Sequence, residues 1–176
     1  MALDHAILVS LRERPGSGYE LAHRFERSVG FFWHASHQQI YRVLARMERH
    51  GWVTATVVPQ QGRPDKRVFE VAPEGEGVLE GWLREPVPVD PVRSEIAVKL
   101  RGAAYGDRQA VLHDVRRHLA EHRARLAHYE QVRERDFPET TGLTGRRLDW
   151  YLVLRGGIRL EQLWVDWCTE ILEAQR

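Results

Sequence analysis

The polar residues of one stretch raise the first chemical question. In "HASHQQIYRVLARMERHGWV" (34–53), Gln38, Gln39, Arg42, Arg46 and Arg49 recur at helical spacing, opposite Ile40, Val43, Leu44 and Met47. A helix that only meets water needs no particular polar chemistry. Amide and guanidinium groups are specific: Gln can bond an adenine edge bidentately, Arg can do the same to guanine, and either can bond phosphate. A helix that enters a groove sets its N-terminal residues against the bases. Here those are His37, Gln38, Gln39, Tyr41 and Arg42. The bland alternative is an ordinary amphipathic helix with a solvated face, and this helix alone does not choose between the two.

A second cluster follows in "QQGRPDKR". A plain surface turn often carries Arg and Lys. A wing laid on DNA needs the same features, a tight turn bearing cations that reach phosphates or the minor groove. Arg63, Lys66 and Arg67 fit that role, with Asp65 read as a partner holding Arg63 or Arg67. Net charge is only +1, so bulk charge says nothing for nucleic acid. Its distribution says more. Residues 34–67 hold six Arg/Lys (Arg42, Arg46, Arg49, Arg63, Lys66, Arg67) against two acids (Glu48, Asp65), the kind of local excess that marks a polyanion footprint.

These groups need a scaffold, and the chain has the means to build one. Its 176 residues are 43% apolar, enough for one domain or two small ones. No run of 18 apolar residues appears, so no membrane span is expected. The opening "MALDHAILVSLRERPGSG" has an early Asp4 and no basic leader, so it does not read as a signal peptide, and a reducing cytoplasm is the simplest setting. The single cysteine, Cys168, excludes an internal disulfide and a cysteine-based zinc site within one chain.

Periodicity predicts a helix over 3–13 with Leu3, Ile7, Leu8 and Leu11 inward. The break "RPGSG" follows, then a capping box from Ser17 and Glu20. A second helix carries Leu21, Ala22, Phe25 and Val29 and stops at Gly30. After the aromatic connection "FFWHAS", Ser36 caps the third, which runs to about His50 with Gly51 as its stop. "WVTATVV" and "RVFEV" flank a turn with Gly62 and Pro64, a hairpin signal. "APEGEGVLEGWLRE" starts a fourth helix with Pro73 at its first position. The order helix, helix, helix, hairpin, helix is that of a winged helix-turn-helix. "PVPVDP" at 86–91 cannot be regular helix and reads as a linker. Beyond it, helices are expected over 92–104, 107–135 and 144–174. Leu112, Val115, Leu119, His122, Leu126 and Tyr129 share heptad-like spacing, as do Val153, Gly157, Leu160, Trp164, Trp167, Ile171 and Ala174.

Three motifs together, "SGYEL" (17–21), "FFWHASHQQIYRVLARMERHGWV" (31–53) and "GRPDKRVFEVAPEG" (62–75), resemble the PadR family of bacterial transcriptional regulators over the first 84 residues. The helical remainder is similar to the longer C-terminal domain of family members of the virulence-activator type. The resemblance implies a winged helix over 1–84, a linker over 85–92 and an antiparallel helical domain over 93–176 that pairs two copies into a homodimer. The fold class is mainly α with a small β-hairpin. Carried over by position, Tyr19 lies near the DNA backbone, Gln38, Gln39, Tyr41 and Arg42 at the major groove, Arg63 and Lys66 on the wing, and Phe32 and Trp33 at the junction between helices. Members are mostly repressors, and some respond to phenolic acids or other small aromatic compounds. The sequence departs from the family at Ala72, where Thr or Ser is usual; Ala is a poor cap, costing about 1 kcal/mol.

In the C-terminal half, the seam residues Leu112, Leu119, Leu126, Leu160, Trp164, Trp167 and Ile171 are the expected dimer interface. Trp150, Trp164 and Trp167 read as part of that core in preference to an aromatic effector pocket. His118 and His122 have metal-ligand spacing, but nine histidines make such pairs by chance, and no metal or other cofactor is expected. Cys168 reads as buried, with redox sensing the lesser alternative. "RGG" at 155–157 puts two glycines mid-helix, which points to a close approach or a kink. No Ser/His/Asp set or phosphate-cradling loop can be assembled, so no enzyme is expected. The expected function is a homodimeric DNA-binding regulator, a repressor reading an inverted repeat in double-stranded DNA, released by a small aromatic effector. The rival from another class is a winged-helix module that docks a protein partner and has no salt-dependent affinity for DNA.

Overall fold

The computed structural model describes residues 2–27, 35–60, 62, 65–89 and 91–175. The predicted end of the second helix at Gly30, the Phe32/Trp33 junction and Arg63 of the hairpin tip lie outside the described residues. The chain divides into two compact units, Met1–Pro88 and Val89–Arg176.

The first unit contains α1 (Ala2–Glu13), α2 (Gly18–Arg27), α3 (His37–Arg49), the strands β1 (Val53–Val58) and β2 (Lys66–Val71), and α4 (Pro73–Arg84). The apolar stripes predicted from periodicity meet in one core. Ile7, Leu8 and Leu11 of α1, Leu21, Ala22 and Phe25 of α2, and Ile40, Val43, Leu44 and Met47 of α3 are all buried there. The Ser17/Glu20 capping box forms: the Ser17 amide donates to Glu20 Oε2 at 2.9 Å and the Glu20 amide to Ser17 Oγ at 3.3 Å. At the end of α3, the Gly51 amide bonds the Glu48 carbonyl and the Trp52 amide the Met47 carbonyl. Gly51 sits at φ +71°, a backbone state that favours glycine. This pair of bonds is the Schellman stop, and it turns the chain directly into β1.

β1 and β2 pair antiparallel, from Val53 opposite Val71 to Val58 opposite Lys66. A contact unforeseen from sequence widens this ribbon. Gly16 exchanges both backbone hydrogen bonds with Phe69, at 3.0 and 2.9 Å, so the segment before α2 is stitched to the wing. At α4, Ala72 offers no side-chain cap. Its amide bonds the Trp52 carbonyl instead. Gly75 in the first turn lies against that carbonyl; a Cβ there would come within 2.1 Å of the oxygen. Backbone contact thus fixes a helix start that the sequence leaves poorly capped.

The second unit contains α5 (Glu95–Gly102), a 3-10 turn over Ala103–Tyr105, α6 (Arg108–Asp136) and α7 (Gly145–Glu173). α6 and α7 pack along each other. α5 starts at Glu95, three residues after the predicted 92, because Ser94 caps the Ala97 amide. α7 runs unbroken through Gly156 and Gly157, and Gly157 is buried. Leu112, Leu119 and Ile171 were expected at a dimer interface. They instead fill the unit's own core with Ile96, Val115 and Cys168. The reason is geometric: α5 and the antiparallel partner helix within the chain claim the same stripes that heptad spacing alone would offer to a second copy.

Candidate nucleic-acid interface

The structure sorts the polar face of α3 into three kinds of residue. Gln38, Arg42, Ala45 and Arg49 fall within an arc of about 60° at roughly 100° per residue, and all four are exposed. Among the described residues, Gln38, Arg42 and Arg49 have no ion-pair or hydrogen-bond partner beyond the helix. This stripe keeps its full hydrogen-bonding capacity for an outside ligand. Ala45 is absent from the sequence-based site because it carries no polar group; its spacing from Arg42 and Arg49 is the signal that places it there. A methyl at such a position suits the C5-methyl of thymine.

On one flank, the predicted contacts Gln39 and Arg46 are already engaged. Gln39 closes a capping box with Ser36: the Ser36 amide donates to Gln39 Oε1 at 2.8 Å, and Ser36 Oγ accepts from the Gln39 amide at 3.3 Å. Its carbonyl oxygen therefore serves the helix start. The Arg46 guanidinium is turned onto the carboxylate of Asp4 on α1, a side chain only 7% exposed. Arg46 is thus a brace between α1 and α3, which amends its place in the sequence-based reading face. A helical wheel cannot reveal this, because the partner lies 42 residues away.

On the other flank stand aromatic rings. Tyr41 lies over Gly18, where a Cβ would come within 2.4 Å of its ring, so the missing side chain lets α2 and α3 approach. Tyr19, His23 and His37 cluster edge to face, with centroids 4.5–6.3 Å apart. Tyr19 and Tyr41 are 59% and 49% exposed, a large exposure for tyrosines at a helix junction.

The wing cations are pinned to the helices. Lys66 Nζ bonds Glu20 Oε1 at 2.8 Å, so one carboxylate both caps α2 and anchors β2. Arg67 bonds Glu48 on α3 at 2.6 Å and lies 5.3 Å from the Phe69 ring centre. Its partner is Glu48 and not Asp65, the one inferred from sequence proximity. Glu20 gains most from Lys66, then from the Ser17 amide, and its pKa falls from the ordinary carboxylate range to about 2. A depressed carboxyl pKa gives stability that is fully present above the unfolded-state value and is lost as pH falls through the folded one. Acidification from about pH 4.5 to 2 is therefore expected to loosen the β2–α2 junction in the wild type. Glu20→Gln, which never has that charge, should show a smaller drop in melting temperature over the same window; equal drops in both proteins would refute the assignment.

In the second unit, His122 and Glu161 are both buried, with Nδ1 and Oε2 2.5 Å apart. Arg125 Nε donates to the other carboxylate oxygen at 3.0 Å, and the Trp164 ring stacks on His122 at 5.0 Å between centroids. Glu161 thus engages the Nδ1 side of the His122 ring. Trp164 and Trp167 touch edge to face at 5.4 Å. Trp150, 14 residues away along α7 (about 21 Å at 1.5 Å per residue), lies under Arg146, so the three tryptophans do not form one pocket. Burial pushes the Cys168 thiol pKa up, which disfavours the reactive thiolate.

Comparison with known proteins agrees with this architecture. Residues 7–81 match the transcriptional regulator PadR-like family, and residues 92–176 match the virulence activator alpha C-terminal family. The chain is 50% identical to the "Probable transcriptional regulator Rv1176c" of Mycobacterium tuberculosis, across 99% of this chain and 97% of that protein. It is similar to the crystal structure of Bacillus subtilis PadR in complex with operator DNA, with a TM-score of 0.83 and 26% identity over 99% of each chain. It is also similar to the virulence activator AphA of Vibrio cholerae, with a TM-score of 0.81 and 28% identity over 98% of this chain and 97% of that one. Bacillus subtilis PadR has been solved with p-coumaric acid as well; that chain matches with a TM-score of 0.73 and 26% identity over 97% of this chain and 93% of its own. A winged helix whose exposed stripe is held clear of its own side chains, joined to paired long helices and matched end to end by a regulator half identical to it, makes the conclusion plain: the chain belongs to the PadR-like family of DNA-binding transcriptional regulators.

Proposed function

We propose that the protein is a homodimeric repressor in which Gln38, Arg42 and Ala45 read base edges of an inverted-repeat operator. The observation that carries this reading is the unpartnered polar stripe of α3. Arg49, at the C-terminal end of the stripe, and Tyr19, His37 and Tyr41 beside it meet the phosphate backbone. Arg67 exchanges its carboxylate partner for a phosphate at small cost, because exposed ion pairs are worth only about 0–1 kcal/mol, and Lys66, held by Glu20, adds its charge to the same wing. Arg63 belongs to the same wing by sequence. Repression is the sign supported by the Bacillus subtilis relative, which is called a negative transcriptional regulator. A regulator of this kind works where its operator lies, in the cytoplasm.

Dimer formation is supported by a face of α7 that the chain leaves uncovered. Leu152, Val153, Leu160 and Leu163 are between 41% and 63% exposed, and half-buried Trp167 lies at the same edge. These residues, rather than Leu112, Leu119 and Ile171, are the apolar surface for a second copy. A small aromatic acid has a candidate seat in a cavity of about 410 Å³ beside Trp164, to which His122 adds a ring, Ile96 an apolar side chain, and Arg93 and Arg125 cations; Glu95, Glu121 and Asp114 also line it, Asp114 being paired with Lys99 and Arg117. Drug-sized ligands occupy cavities of this order. The relative solved with p-coumaric acid supports that ligand class.

Gel-shift titration against the DNA upstream of the chain's own gene tests the reading, run from 50 to 200 mM salt beside native mass spectrometry. We expect one dimer per operator and an affinity that falls linearly with salt on logarithmic axes. Salt-independent binding, or a monomer at working concentration, would overturn it.

A further inference from the structure

A second cavity in the C-terminal unit has a different chemistry. It measures about 450 Å³ and is lined by Arg133 near the end of α6, Thr140 in the connection, and Tyr151, Arg155, Ile158 and Arg159 of α7. Three guanidinium groups and two hydroxyls face one space, and none of the described lining side chains is acidic. Arg133 keeps a 3.3 Å contact with Glu134. Its position in the last turn of α6 also suits the negative end of that helix. Neither account extends to Arg155 and Arg159. They stand in the middle of α7, far from either helix end, and have no ion-pair or hydrogen-bond partner among the described residues. Their i,i+4 spacing makes them mutually repulsive. The Tyr151 ring is held against Phe137 at 5.6 Å between centroids, which fixes one side of the cavity.

Arg155 and Arg159, like charges without counter-ions among the described residues, raise the energy of the apo protein, and an anion that fills the space relieves it. Guanidinium forks match the paired oxygens of a phosphate. Three of them exceed what a single carboxylate can use, whereas a dianion with three terminal oxygens can accept from all three. The volume also leaves room for an organic group beside a phosphate. At about 100° per residue, Tyr151, Arg155 and Arg159 form a stripe of α7 beside the exposed Leu152/Leu163 side of its apolar face, with Arg159 at the border and Tyr151 farthest from it.

We propose that this cavity binds a small phosphate-bearing molecule, as a ligand site separate from the one beside Trp164. The test uses the full chain with pyrophosphate and adenosine monophosphate as probes, at constant ionic strength, followed by calorimetric titration and thermal shift. The α3 stripe can also attract phosphates, so Arg42→Ala is run in parallel. We expect saturable binding in the wild type and in Arg42→Ala, and at least a tenfold weaker response in Arg155→Gln/Arg159→Gln, whose far-UV spectrum should match the wild type because both side chains are exposed. The proposal is overturned if the wild type gives no saturable response to either probe, or if the double variant binds as the wild type does.

Discussion

Arg42→Ala is expected to weaken operator binding by about 1–3 kcal/mol, roughly fivefold to 150-fold, while leaving the melting temperature unchanged. Discrimination between the operator and unrelated DNA should shrink with it, since the lost fork reads a base edge. Arg46→Ala, one helical turn away, is expected to behave in the opposite way. Its guanidinium is the partner of the buried Asp4 carboxylate, and stranding that carboxylate costs about 1–3 kcal/mol of stability. In a unit of this size each kcal/mol lowers the melting temperature by about 4–8 °C. Paired measurements on the two variants, anisotropy titration with operator and scanning calorimetry, separate the reading residue from the brace. If Arg42→Ala binds and discriminates as the wild type does, the exposed stripe is not the reading surface. If Arg46→Ala melts unchanged, Asp4 does not depend on it.

The largest stability effect is expected at Glu161. This carboxylate is buried between α6 and α7 and accepts from Arg125 on one oxygen, with His122 on the other. Removing one member of a buried charged set is usually worth about 3–5 kcal/mol, because the remaining charges lose their compensation without regaining water. For Glu161→Ala we expect about 3 kcal/mol, the lower end. The Arg125 side chain is 36% exposed and can turn to solvent. Unfolding of the C-terminal unit, read by tryptophan fluorescence from Trp164 beside the site, should shift accordingly. Glu161→Leu separates two accounts. If the network is mainly a packing element, the apolar replacement should recover part of the loss. If specific orientation matters, it should fail to do so and should also loosen hydrogen-exchange protection along α6. A Glu161→Ala protein that unfolds like the wild type would remove the network from any structural role.

The sequence by itself determined the local elements. Helical periodicity set the inward stripes of α1, α2 and α3. The S-x-x-E spacing at Ser17 and the glycine at 51 fixed a start and a stop. The strand runs around Gly62 announced the hairpin, and the three linked motifs identified the family. The stripes, the caps and the turn depend on residues within a few positions of each other, where backbone geometry and capping act directly. Tertiary structure alone decided which polar side chains are available. Arg42 and Arg46 are alike in sequence and lie on one side of one helix, yet one is open and the other is bound to Asp4 from α1. Gln38 and Gln39 differ in the same way, because only Gln39 reaches back to the cap. Leu119 and Leu160 share the same heptad-like spacing, but one is inside the chain's core and the other faces out. The physical reason is common to all three. A periodic pattern specifies which side of a helix a residue occupies, but its partner on that side is chosen by distant parts of the chain.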